Sequence, residues 1–201
     1  MFQPDPSTLS IGEVIRRICN LNDGICDFWR RAYGWAPGEA ASLLAESRLD
    51  RQAALSRCLA LWMPEAHPEA RRDGALILGW ANLGALVEGT LKWFLSVYRE
   101  EVPDDAIKKF RKTIGPEAAT LEQLRLFYLN HYVWFKDERD EWDPWLTEIR
   151  DRRNAVHAYK DSSIGTFEDL HNAIKKYLEL IRTLEGRMPY PDEHPGPQEN
   201  G

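Results

Sequence analysis

The sequence predicts an all-α fold, an antiparallel helical bundle built as a single domain. Apolar residues recur at helical spacing in several long stretches, glycine and proline separate those stretches, and alternating strand-like patterns are few. The chain has 201 residues, of which 43% are hydrophobic and 29% charged, so it can fill one core and is not disordered throughout. We expect a helical domain over residues 1–186 and a disordered, proline-rich tail over 187–201.

The N-terminal part predicts two helical stretches that precede the main bundle. The first ends near Gly34, and the second runs from Glu39 to Met63 with a break near residues 47–50. Residues 64–68, which begin and end with proline, terminate the second stretch. The apolar stripe of the first helix consists of Ile11, Val14, Ile15, Ile18, Ile25, Phe28 and Trp29.

A long central helix is predicted over about residues 69–100. Within it, Asn82 is the only strongly polar residue between Ala75 and Val87, and this apolar run is shorter than the roughly 20 residues that span a bilayer. We therefore expect a helix buried on most sides, with no membrane association. Glycine recurs every five residues, a spacing that drifts around a helix, so several neighbours should approach closely. These glycines are Gly74, Gly79, Gly84 and Gly89.

Residues 103–112 predict a short basic helix closed by Gly115 and Pro116. An exposed, solvated face is one interpretation of its charges, and contact along an RNA backbone is the other. The RNA-binding hypothesis concerns Lys108, Lys109, Arg111 and Lys112.

Three later helix starts are predicted from capping residues. Thr120 and Gln123 form a capping-box pattern, in which each side chain satisfies a free backbone N–H group. Residues 136–143 predict a charged loop, after which Asp143 and Pro144 begin a helix that reaches about Tyr159. Thr166 caps the last helix, whose apolar stripe consists of Phe167, Leu170, Ile174, Tyr177, Leu178, Ile181 and Leu184.

Charge and cysteine usage restrict the function classes. The net charge of −6 disfavours indiscriminate binding of nucleic acid but leaves room for a local basic patch. The three cysteines are odd in number, and their spacing does not match a metal site. The first residues lack the basic and apolar regions of a signal peptide, so reduced thiols and a cytoplasmic location are expected, with neither a cofactor nor a metal.

The segment from Arg150 to Tyr159 has the residue types for phosphate chemistry. At roughly 100° per residue, one helix face carries Arg150, Arg153, Asn154 and His157. Arginine binds phosphate through a planar fork, and histidine can exchange a proton with a ribose 2′-hydroxyl or a leaving oxygen, which is what RNA cleavage without a metal needs. The alternative is that these arginines pair with Glu148, Asp151 or Asp161 and that His157 only ends a helix. A weaker hypothesis is base stacking on Trp142 or Trp145.

Residues 152–159 resemble the Arg-x4-His motif of HEPN domains, the higher eukaryote and prokaryote nucleotide-binding superfamily. Their order, Arg-Arg-Asn-Ala-Val-His-Ala-Tyr, is similar to the Arg-x4-His-x-Tyr form of the HepT-like toxins. Residues 86–92 also resemble the central helix of that family. The resemblance covers residues 73–184 and leaves additional N-terminal helices outside it; it implies an all-α bundle that is usually dimeric.

The resemblance also implies roles for individual residues. His157 would be the general acid/base, Arg152 the phosphate-binding arginine and Asn154 the accompanying polar residue. Arg150 and Arg153 are alternative motif arginines, at spacings of x6 and x3. Tyr159 would match the tyrosine that a nucleotidyltransferase antitoxin partner modifies.

Three functions remain open at this point. The first is a metal-independent endoribonuclease of the toxin or phage-defence type, with a composite site in a homodimer. The second is a non-catalytic module that holds a nucleotide or a protein partner. The third is a structural protein whose arginine-rich helix only forms ion pairs.

Overall fold

The structure, a computed structural model, describes residues 3–34, 36–63, 67–102, 107–109, 112–131, 136–157, 163–192, 194 and 196–200, with the backbone alone at 108–109, 112–113 and 136–137. The described chain is an all-α bundle of seven α-helices. They are α1 (Ile11–Trp29), α2 (Gly38–Glu46), α3 (Leu49–Cys58), α4 (Arg72–Val97), α5 (Leu121–Asn130), α6 (Lys136–Asn154) and α7 (Phe167–Glu185).

Helix α4 is the centre of the bundle, since α2, α3, α5, α6 and α7 all pack against it. It is long and apolar enough to cross a membrane by length and composition, but 61% of its most apolar window is buried inside the fold. Trp80, Leu83, Leu86 and Leu91 are fully buried along it. An apolar character on nearly all sides is what a helix enclosed by neighbours requires.

The recurring glycines of α4 admit close neighbours at three of four positions. A Cβ atom at Gly79 would lie 2.6 Å from Cδ2 of Leu170, and one at Gly84 would lie 2.7 Å from Cδ of Arg153. A Cβ atom at Gly89 would collide with the side-chain amide of Gln52, whereas Gly74 faces open space. The prediction of close approach is therefore confirmed at Gly79, Gly84 and Gly89.

Two of the three predicted capping signals are confirmed, those of Thr120 and Thr166. The Thr120 hydroxyl accepts a hydrogen bond from the Gln123 N–H group at 3.4 Å, and Gln123 Oε1 accepts one from the Thr120 N–H group at 2.9 Å. Thr166 forms a second capping box, with Asp169. The predicted break in the second stretch is also present, since extended backbone at Ser47 separates α2 from α3.

The predicted basic helix at residues 103–112 is wrong in the part that the structure describes. Strand β1 (Lys108–Lys109) instead pairs with β2 (Lys112–Thr113) in an antiparallel ladder, with Lys108 opposite Thr113. The Ile114 N–H group donates to the Ile107 carbonyl at 3.0 Å, and Ile107 is buried in the core. The segment has too few apolar residues to bury a helix face, and the hairpin buries its isoleucine instead.

The predicted loop at residues 136–143 is also wrong, because α6 already begins at Lys136 and Pro144 lies inside it. Proline costs an internal helix one hydrogen bond, so the first two turns need support from elsewhere. Glu138 accepts a hydrogen bond from Arg187 at 2.5 Å, and Asp143 accepts one from Arg125. Tertiary contacts therefore hold the first turns of α6, and the helix does not begin at Asp143 as an N-cap.

The described residues after Gly186 pack against α1 and α7, whereas a disordered tail was expected for residues 187–201. Trp29 donates from Nε1 to the Tyr190 hydroxyl at 3.3 Å. Glu199 is only 6% exposed and accepts hydrogen bonds from Arg17 and Arg182, each at 2.8 Å. The expectation of disorder came from the shortage of apolar residues in this segment. Composition does not show that Glu199 forms buried ion pairs with Arg17 and Arg182, which hold the segment in place.

Candidate functional site

The C-terminal end of α6 carries the residues that the sequence singles out. The helix ends at Asn154, and a turn continues to His157, whose N–H group donates to the Asn154 carbonyl at 3.0 Å. Asn154, Val156 and His157 are exposed. On a regular helix Val156 would share the core-facing side with Ile149, but α6 ends at Asn154 and Val156 is 46% exposed. Tyr159 lies outside the described residues.

Arg152 is held by the segment that leads into α7. Its Nη1 donates to the Ser163 carbonyl at 2.8 Å and to the Ser163 hydroxyl at 3.1 Å. Its guanidinium carbon lies 5.6 Å from the ring centroid of Trp80, within reach of a cation–π interaction. Gly165 adopts a φ of +66°, and a Cβ atom there would lie 2.5 Å from Nη1 of Arg152. Arg152 therefore joins the end of α6 to the next segment.

Arg150 faces α5 instead. It donates from Nη1 to Glu122 at 2.7 Å and pairs with Asp151 at 2.8 Å. Glu122 also receives a hydrogen bond from Arg125, and this bond together with that from Arg150 lowers the pKa of Glu122 to about 2. Three carboxylates, including Asp143, thus surround two arginines, so the charge of Arg150 is compensated.

Arg153 lies across α4 and is the most exposed of the three arginines, at 34% of its side chain. It forms an ion pair with Glu88, whose other oxygen accepts from Lys92 at 2.8 Å. Burial alone would raise the pKa of Glu88, but the hydrogen bonds from Lys92 and Arg153 lower it below its usual value. Among the described residues, Lys92 and Arg153 share this one carboxylate, so the group of three side chains carries a net charge of +1.

The three arginines therefore point to three different neighbours rather than forming one anion-binding cluster. The alternative interpretation, in which the arginines form ion pairs with nearby carboxylates, is confirmed for two pairs. Arg150 pairs with Asp151, and Arg152 pairs with Glu148 at 3.6 Å. Asp161 lies outside the described residues. Since helix C-termini carry a partial negative charge, arginines at this end stabilise α6 whatever else they bind.

No protein-family model, curated protein or solved structure matches the chain.

Among the described side chains, no other predicted site residue adds to the site. Trp142 and Trp145 are 3% and 9% exposed and pack edge to face, so stacking of a base on either ring is ruled out. The side chains of Lys108, Lys109 and Lys112 and the whole of Arg111 lie outside the described residues. Among the described residues, no group of three or more His, Cys, Asp or Glu side chains could hold a metal ion.

Sequence reasoning missed the residues that orient the arginines, which are Glu88, Glu122, Trp80 and Gly165. The arginine–carboxylate contacts join positions 65 and 28 residues apart. The contact of Gly165 with Arg152 was not predicted. The one local signal was the spacing of Glu88 and Lys92, which is typical of an ion pair on a helix.

Proposed function

We propose that this protein is a HEPN-like helical bundle that binds RNA and cleaves it without a metal ion, at a composite site formed by two copies of the chain. The observation that carries the proposal is the exposed His157 four residues after Arg153, which shares the carboxylate of Glu88 with Lys92. An arginine that shares its carboxylate with a second cation can attract phosphate, and an imidazole can both accept and donate a proton.

In this mechanism, the His157 imidazole takes the proton of a ribose 2′-hydroxyl, and the 2′-oxygen attacks the adjacent phosphorus. The bond from phosphorus to the 5′-oxygen of the next nucleotide breaks, which leaves a 2′,3′-cyclic phosphate. The leaving oxygen receives a proton from the second histidine of the composite site, so two copies of the motif are required. Arg153 and Asn154 donate hydrogen bonds to the phosphorane oxygens.

We assign phosphate contact to Arg153 and a positioning role to Arg152. The resemblance implies Arg152 as the motif arginine, but its guanidinium is occupied by Ser163 and stacks on Trp80. Arg153 is twice as exposed, with a side chain at 34% against 17% for Arg152. Replacement of Arg152 should therefore affect stability first, and replacement of Arg153 should affect RNA affinity first.

The test is incubation of the purified chain with structured and unstructured RNA in EDTA. We expect cleavage by the native chain and a loss of about 10²–10⁴-fold in His157→Ala, the usual contribution of a general acid/base. His131→Ala is the matched control, because His131 is also exposed but lies at the end of α5. Equal cleavage by all three proteins would mean a contaminant or a different site.

A non-catalytic RNA- or nucleotide-binding module is the second candidate, and the fixed position of Arg152 favours it. Arg152 is bound to a backbone carbonyl and lies over the ring of Trp80, so it holds α6 in place. Because these contacts do not change during a reaction, Arg152 would add little to the stabilisation of a transition state. Fluorescence anisotropy with labelled RNA distinguishes the two. Binding that Arg153→Gln weakens, without cleavage by a folded native dimer, would support the module.

A further inference from the structure

A cavity of about 310 Å³ lies between α2, α3 and α4, and none of the described motif residues of α6 lines it. Its walls are largely apolar and include Leu43, Leu44, Leu49 and the ring of Trp93. Small-molecule sites typically have volumes of roughly 300–1,000 Å³ and combine apolar walls with a few placed polar groups. The cavity therefore has the size and the lining of a site for a small ligand.

The floor of the cavity holds one buried amide, that of Gln52, which is 9% exposed. The Leu86 carbonyl can only accept a hydrogen bond, so the group that faces it must be Nε2 and not Oε1. Oε1 therefore lies above Gly89, and among the described residues no group donates a hydrogen bond to it. Nε2 lies 2.8 Å from Leu86 O, 3.1 Å from Thr90 Oγ1 and 3.2 Å from Tyr177 Oη, so these three acceptors take both of its N–H groups.

The charges around the cavity select against an anionic ligand. Lys92 is paired with Glu88 at 2.8 Å, and Arg48 is paired with Asp50 at 2.7 Å. The exposed carboxylates of Glu46 and Glu117 also line the opening. A negative group would have to displace an existing ion pair and approach two carboxylates, whereas a neutral molecule with a hydrogen-bond donor meets neither obstacle.

We propose that this cavity binds a neutral aromatic molecule that donates one N–H or O–H hydrogen bond to Oε1 of Gln52 and packs its ring against Trp93. Oε1 faces the cavity without a donor among the described residues, so a ligand N–H or O–H group can donate to it in place of water. Aromatic rings gain additional stabilisation from edge or offset contact with an indole. The inference is independent of the function proposed for the end of α6.

The experiment titrates the ¹⁵N-labelled full chain with indole and with benzofuran, which has nearly the same shape but an oxygen in place of the N–H group. We expect saturable shifts of the Trp93 Nε1–H and Gln52 Nε2 signals. Indole should bind about three- to tenfold more tightly, the contribution of one neutral hydrogen bond. Equal affinity for the two compounds, or no saturable shift at these two residues, overturns the proposal.

Two variants separate binding from folding. Gln52→Leu should abolish the preference for indole, but it also removes the internal hydrogen bonds of the Gln52 amide and can unfold the chain. Leu43→Trp fills the cavity and leaves the Gln52 amide in place, so it should weaken indole binding about tenfold or more. Leu61→Trp is the matched control, because Leu61 is 56% exposed and lies outside the cavity. Indole affinity that is unchanged in Leu43→Trp overturns the proposal as well.

Discussion

Gly84→Ala tests whether the contact between α4 and α6 depends on the missing side chain at position 84. A Cβ atom there would lie 2.7, 2.9 and 3.0 Å from Cδ, Cβ and Cγ of Arg153. Because the Cβ atom of Arg153 is bound directly to the backbone, a rotamer change cannot relieve the clash. Helix α6 has to move away from α4, and the ion pair of Arg153 with Glu88 moves with it.

The expected net effect on the free energy of unfolding follows from two opposing contributions. Alanine is better than glycine inside a helix by about 1 kcal/mol. Overpacking of a close contact costs about 1–3 kcal/mol, and weakening a partly exposed ion pair costs up to about 1 kcal/mol more. We expect a net destabilisation of about 1–2 kcal/mol, which lowers Tm by roughly 3–6 °C in a chain of this size.

Guanidinium unfolding followed by circular dichroism measures the change, with an unchanged m value showing that stability alone has shifted. Gly74→Ala is the matched control, since it lies in the same helix but faces open space, and it should stabilise by up to about 1 kcal/mol. Gly84→Ala should also be non-additive with Arg153→Ala, which removes two of the three clashing atoms. Stabilisation by both glycine variants, or strict additivity, would refute the reasoning.

Three further predictions concern other contacts. Gly165→Ala should lower stability by about 1–2 kcal/mol in thermal unfolding, because Gly165 has a φ of +66°. Arg125 helps to lower the pKa of Glu122 from 4.5 to about 2, so Glu122 contributes stability above pH 4.5 that is lost as the pH falls toward 2. Denaturant unfolding should therefore show a smaller loss of stability over this pH range in Glu122→Gln than in the native chain. Glu199→Ala should destabilise the chain by about 2 kcal/mol and mobilise its last residues in ¹⁵N relaxation, whereas the exposed neighbour Asn200→Ala should do neither.

The fold class and most helices could be predicted because their signals are local. A capping box such as that of Thr120 and Gln123 lies within four residues, and an apolar stripe repeats every three or four positions. The spacing of Gly79, Gly84 and Gly89 likewise indicated close neighbours, although it did not identify them. The start of α6 was missed because Asp143 and Pro144 are a good local start signal, which the contacts of the preceding turn override.

The sequence by itself determined which residues could carry phosphate chemistry, and the tertiary structure alone decided how each one is occupied. The three arginines are equivalent in the sequence, but each contacts a different element. Arg150 contacts α5, Arg152 contacts the segment before α7, and Arg153 contacts α4. Their carboxylate partners Glu122 and Glu88 lie 28 and 65 residues away. Ion pairing depends on distance in space, which is set only when the helices pack, so no periodicity in the chain could reveal it.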